Sequence, residues 1–226
     1  MRLDGVRFSL VDVAPARDAL RVLLGIPSIG MGDGIERFQL HRGAIELQPG
    51  RPQTSVLFAT ERGDDLTDWP TTAEEHGGLS VCVISAPDLQ PVVAPADGIA
   101  GVDHVVVNTR DPKRAVAHWH QRLGLRLALD KEFADRGLRL QFFRSGGMTL
   151  EFASRQGEGA ATSGTDAVYG VSYRVHDLAA CRARLLGHGL DVSEIRAGMK
   201  EGTRVATVRD GTAGVPTLLI EHPRET

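Results

Sequence analysis

The sequence predicts an α+β protein made of repeated βαβββ modules. Three observations carry this reading. A strand, helix, strand, strand order recurs over residues 1–50, 98–155 and 167–226. Each helix is opened by Pro or Asp and stopped by Gly. Each module also closes on a strand with a Glu among apolar residues, at Glu46, Glu151 and Glu221. A recurring plan of this kind outranks any single motif as a signal of architecture.

In the first module, Val6 to Val13 is an apolar, β-prone strand. Pro15 opens a helix over 16–24, Gly25 stops it, and 35–41 with 43–47 form a hairpin turning at Arg42-Gly43. Residues 51–97 are a blurred version of the plan. Strands are expected at 54–60 and 79–84, a short helix around 64–69, and a Pro-broken connector through Pro91 and Pro95 to the Ala96-Asp97-Gly98 turn. The third module is the cleanest: strand 101–109, N-cap Asp111, helix 112–123, Gly124, then strands 126–130, 137–144 and 147–153. Residues 156–166 read as a flexible Gly/Ala/Ser/Thr linker. The fourth module has strand 168–175, N-cap Asp177, a helix to Leu186, and strands 191–196, 203–209 and 215–221. The last residues are charged and expected to fray. This divides the chain into 1–97, a degenerate pair of modules, and 98–226, the pair with a candidate active site.

The 226 residues carry 26 basic and 29 acidic side chains, a net charge of −3. That balance gives no case for nucleic acid or an anionic membrane as partner. No apolar run approaches the roughly 18 residues of a membrane span, and Met1 to Gly5 lack the apolar core of a signal peptide. A cytoplasmic protein is expected, with Cys82 and Cys181 as buried free thiols.

Superposing the modules locates a site. Val107 to Asp111 falls on Tyr173 to Asp177, and Leu150-Glu151-Phe152 falls on Ile220-Glu221-His222. His104 is then a lone imidazole in an apolar first strand, matched by Gly170 in the fourth module. In the first module Phe8 takes its place, and Glu46 takes that of Glu151. Strand parity puts His104, Val106 and Asn108 on one face, Thr149 and Glu151 on one face, and Gly170, Ser172 and Arg174 on one face. Asn108, Ser172 and Arg174 are candidate substrate-binding residues. His118 and His120 read as solvent-facing or packed, and His222 as pointing away from Glu221.

Paired βαβββ modules with His on the first strand and Glu on the last resemble the vicinal oxygen chelate superfamily. This is the group of glyoxalase I, the bleomycin- and fosfomycin-resistance proteins, methylmalonyl-CoA epimerase and the extradiol dioxygenases. The resemblance implies an open, barrel-like cup holding a divalent metal (Fe, Mn, Zn, Ni or Co). The ligands it implies here are His104, Glu151 and Glu221, with Gly170 at a fourth ligand position. It implies a metal-dependent enzyme, of lyase or isomerase type, acting on a small oxygen-rich metabolite, with Glu151 or Glu221 as catalytic base. Two other readings stay open. One is a dioxygenase. The other is a metal-free binding or resistance protein of the same fold, with Arg174 neutralising Glu151 or Glu221. A structural or regulatory module that uses the cup edge as a homodimer interface is a further alternative.

Overall fold

The computed structural model describes residues 1–61, 63–67, 69–90, 92–93, 95–157 and 164–223. It is mixed α+β, with fourteen strands and three helices of the α or mixed α/π type among the described residues. The chain packs as two compact units, each discontinuous in sequence. The first holds Met1–Val6, Thr54–Pro87 and His104–Tyr169; the second holds Arg7–Gln53, Asp88–Asp103 and Gly170–Thr226. The halves 1–97 and 98–226 remain proposed as pairs of modules in sequence; the packing units group the modules another way.

In the first unit, strands β5 (Gln53–Thr60) and β6 (Val81–Ser85) run parallel. Strands β7 (Ile99–Asn108, in this unit from His104 onward), β8 (Arg126–Phe133), β9 (Leu138–Ser145) and β10 (Met148–Arg155) form a ladder in the order β7-β10-β9-β8. β10 is parallel to β7 and antiparallel to β9. Alternation along β7 explains its two faces: Val105 and Val107 are fully buried, whereas His104 and Val106 are partly open and Asn108 is exposed. The buried side meets an aromatic core. Phe58 stacks on Trp119 with centroids 5.9 Å apart and planes 10° apart, and Phe152 packs against both Trp119 and Phe143.

Asp111 caps helix α2 as expected, its Oδ1 accepting from the Arg114 N–H at 2.9 Å. After Pro112–Ala115, however, the helix widens to π geometry over Val116–Arg122. Leu123 N–H donates to the His118 carbonyl, five residues back. The extra residue per turn brings Trp119 into the core and His118 to one side of it. Two other expectations fail. Residues 63–67 and 69 hold no helix, only turns at Gly63 and Thr67. In place of a strand over 191–196 there is one bridge, Val192 to Val208, and the two-residue strand Arg196–Ala197. Most of the 156–166 linker, 158–163, and the terminal residues 224–226 lie outside the described residues.

The second unit is built on β1 (Arg2–Leu10) from Arg7 onward, helix α1 (Ala14–Leu24), the ladder β2 (Ile29–Gly30), β3 (Glu36–Gln39) and β4 (Ala44–Pro49), and the fourth module. That module contributes β11 (Ala167–Val175), α3 (Leu178–Gly187), β12 (Arg196–Ala197), β13 (Arg204–Val208) and β14 (Thr217–Glu221), ordered β11-β14-β13-β12. Pro15 lies in the first turn of α1, and Gly25 ends the helix with φ 73°, a left-handed stop that favours glycine. The Arg184 guanidinium donates to the carbonyls of Val22 (2.6 Å), Leu23 (2.9 Å) and Asp97 (3.1 Å). It thereby satisfies two of the carbonyls that the end of α1 would leave orphaned. Neither cysteine forms a disulfide; Cys181 is buried and Cys82 half-buried.

One prediction arises from the first-unit core. His76 Nε2 lies 3.2 Å from the Pro70 carbonyl, so it carries the proton and donates; its Nδ1 then accepts from His118 Nε2 at 2.9 Å. Burial is the first cause pushing His118 down, to about 4, helped by His76, Arg122 and Arg114 and opposed by Glu75. His76 is shifted the same way, again mainly by burial. Both folded-state values lie below the ordinary 6.5, so the unfolded chain binds more protons between about 4 and 6.5. Stability is therefore fully present above pH 6.5 and falls as the pH drops through that window. With solvent screening of a half-exposed ring allowed for, the loss is on the order of 1–2 kcal/mol. Urea unfolding at pH 7.5 and 5.0 should show it, and His118→Gln should shrink the difference; an equal difference in the variant refutes the assignment.

Candidate active site

The parallel pairing of β7 with β10 sets the third-module face residue by residue. His104 lies opposite Thr149, Val106 opposite Glu151, and Asn108 opposite Ala153. The β9–β10 hairpin extends each row: Arg144 beside Thr149, Phe142 beside Glu151, Leu140 beside Ala153. Arg126 on β8 lies opposite Arg144 and lengthens the first row. His104 and Glu151 meet diagonally on this face, with Nε2 and Oε2 3.7 Å apart and each side chain 16% exposed. An imidazole and a carboxylate this close, still open to solvent, form a pair able to give and take a proton.

Glu221 requires a correction. Within the second unit, Ser172 lies opposite Leu218, Arg174 opposite Ile220, and Val175 opposite Glu221. Glu221 therefore shares the face of buried Val171, Tyr173 and Val175, on the side of α3, and not the face of Ser172 and Arg174. Its Oε2 accepts from the Leu178 N–H (2.7 Å) at the start of α3, and both oxygens take bonds from Arg204 (2.8 and 2.7 Å). A carboxylate at a helix N-terminus, answered by an arginine, has a structural role. Arg204, not Arg174, is its cation. If Gly170 matches His104, then Ser172 matches Val106, and the residue matching Glu151 is Leu218. The fourth-module face thus carries Ser172, Arg174, Leu218, Ile220, Val205 and Thr207. Gly170 cannot be replaced by a ligating residue without movement, since an added Cβ would lie 2.6 Å from the Pro216 carbonyl oxygen.

Neither unit's residues fit a three-donor metal site: in the first, His104 and Glu151 supply two donors; in the second, Glu221 is engaged by Leu178 and Arg204, and Leu218 and Gly170 offer none. Among the described residues, no group of three or more His, Cys, Asp or Glu side chains is placed to hold an ion.

The first module shows the same position put to another use. Glu46 is 2% exposed and lies opposite Arg37 on β3. Arg37 reaches its Oε1 at 2.6 Å, and Arg7 reaches its Oε2 from both Nε (2.7 Å) and a terminal nitrogen (2.6 Å). Gln48, Gln39 and Ser9 complete the network. The residue of β1 that faces Glu46 is therefore Arg7. Phe8, expected in the place of His104, is buried on the other side of the strand. Sequence reading missed the two arginines because it followed only the acid from module to module.

The comparisons with known proteins fit this architecture. Residues 103–207 match the family model described as the glyoxalase/bleomycin resistance protein/dioxygenase superfamily. No curated protein matches. Among solved structures, methylmalonyl-CoA epimerase from Mycobacterium tuberculosis aligns with a TM-score of 0.50 at 21% identity, covering 59% of this chain and 94% of that one. A hypothetical protein from Bacillus halodurans aligns with a TM-score of 0.47 at 16% identity, covering 55% and 96%. The epimerase likeness speaks to the fold alone. Also, no helix among the described residues is long and apolar enough to cross a membrane. The segment 103–207 is thus similar to the glyoxalase/bleomycin resistance protein/dioxygenase superfamily, and the α+β fold is shared with the epimerase structure.

Proposed function

We propose that the chain is an isomerase- or lyase-type enzyme of this superfamily, acting on a small oxygen-rich metabolite, in which His104 and Glu151 move the proton. The observation that carries this reading is the 3.7 Å His104–Glu151 pair on the open face of the third module. Glu151 takes a proton from a carbon next to a carbonyl. The N–H of His104 meets the negative charge that gathers on the carbonyl oxygen, and the proton returns to the same carbon or to its neighbour. The 98–226 half is taken as the half that works, in a cytoplasmic protein.

A metal-free binding protein is the second reading. It is favoured by the apolar Leu218, Ile220 and Val205 beside Ser172 and Arg174.

The test is deuterium exchange in heavy water, followed by NMR, on small 2-oxo acids, α-hydroxy ketones and branched acyl thioesters. The native chain should exchange at least one class, and His104→Gln and Glu151→Gln should each slow it by about 10²–10⁴-fold. Saturable binding with no exchange in any class selects the binding protein. Dialysis against Zn(II), Ni(II) or Co(II) should leave well under one equivalent bound; a full equivalent that His104→Ala abolishes would restore the metal-dependent reading.

A further inference from the structure

The geometry points to an anion-recognition subsite in the same face, formed by Arg144 and Arg126, so that the metabolite carries a carboxylate or a phosphate. This rests on the His104–Glu151 reading for its place in the reaction but on separate observations for its existence.

Arg126 and Arg144 are direct cross-strand neighbours in the β8–β9 ladder, and both are exposed. Like charges set directly opposite repel and cost stability. Neither has an ion-pair or hydrogen-bond partner among the described residues. The other face of the same ladder is treated quite differently. Arg139 donates to both oxygens of Asp130 (2.7 and 2.9 Å) and lies 3.5 Å from Glu132, and the Arg139 bonds hold the Asp130 carboxyl below its usual range. One face of β9 thus has its arginine neutralised twice over, and on the other Arg126 and Arg144 lie side by side with no ion pair of their own among the described residues.

Position adds to charge. Arg126, Arg144, Thr149 and His104 form one row across four strands. At ordinary strand spacing, the Arg144 and His104 backbones are two steps, about 10 Å, apart. Side chains leaning inward from both ends leave room for a metabolite of a few carbons. The ladder also breaks register between Leu127 and Leu129, just after Arg126. Such bulges re-aim the side chains beside them and recur next to active sites. Two guanidiniums in a row present several N–H donors in the planar forks that suit carboxylate and phosphate oxygens.

The experiment titrates inorganic phosphate and malonate, separately, into the intact chain at low salt, following the histidine Cε1–H signals by NMR. At least one probe should saturate and shift the His104 signal, and the tighter of the two tells phosphate from carboxylate. Arg144→Gln should weaken binding tenfold or more, and the Arg126→Gln/Arg144→Gln double variant should abolish it. Each variant should melt at the native temperature or above it, since a repulsion has been removed. His104→Gln should bind the probe within twofold of the native chain, as judged from the remaining histidine signals or calorimetry. That keeps failure of this subsite separate from failure of the proton-transfer reading. The proposal is overturned if neither probe saturates, if the double variant binds as the native chain does, or if the single variants melt several degrees lower.

Discussion

Glu46→Ala is expected to cost about 3–5 kcal/mol of folding stability, whereas Glu151→Ala, at the matching position of the third module, costs no more than about 1 kcal/mol. The two carboxylates have different surroundings. Glu46 is 2% exposed and held by Arg37, itself 1% exposed, and by Arg7. Removing the acid leaves those guanidiniums desolvated without their common counter-charge, the situation that makes a broken buried ion pair expensive. Glu151 is partly open and sits 3.7 Å from an imidazole, so water can replace much of what the substitution removes. In a chain of this size the first loss should lower the melting temperature by roughly 10 °C. Urea midpoints of the two variants, measured side by side, check the contrast. Equal losses would mean that the first-module network is no more structural than the third-module pair.

Arg184→Ala should be the other severe change, at about 3 kcal/mol. One side chain on α3 gives charged hydrogen bonds to three backbone carbonyls, two of them at the end of α1. Bonds to a charged donor are each worth about 1.5–3 kcal/mol, and their sum is reduced by shared geometry. Lysine should not rescue, because one ammonium cannot span carbonyls that a planar five-donor fork reaches together. Chemical denaturation of Arg184→Ala and Arg184→Lys tests this; recovery of more than half the loss by lysine would refute it.

Much of the fold was legible because its punctuation is local. Pro15, Gly25, Asp111, Gly124 and Asp177 mark helix ends through backbone geometry that each residue carries with it. His104 facing Glu151 was legible for a related reason. The turn at Gly146-Gly147 between β9 and β10 is two residues long, and its φ values of 61° and 77° fix the register of everything after it. Once that turn is recognised, Arg144 opposite Thr149 follows by counting, though only the ladder showed that Arg126 joins it. Glu221 was misplaced because β13 and β14 are joined by eight residues, 209–216, whose length sets no register. A shift of three positions along β14 moves a carboxylate from one side of the sheet to the other. The π-helical turn at 116–122 was illegible for another reason: nothing in its local composition distinguishes it from an α-helix. It exists because Trp119 and His118 pack against Phe58 and His76, residues distant in sequence.

The Arg184 contact also sets a schedule for making the protein. The donor lies 162 residues after the Val22 carbonyl it satisfies. A ribosome adding about 5–20 residues per second needs on the order of ten to thirty seconds to cover that distance. During that time the end of α1 exists without the guanidinium that satisfies its last carbonyls. Nascent chains stalled before residue 184 should therefore hold 14–24 in a protease-sensitive, chaperone-accessible form, and the second unit can close only as translation nears its end.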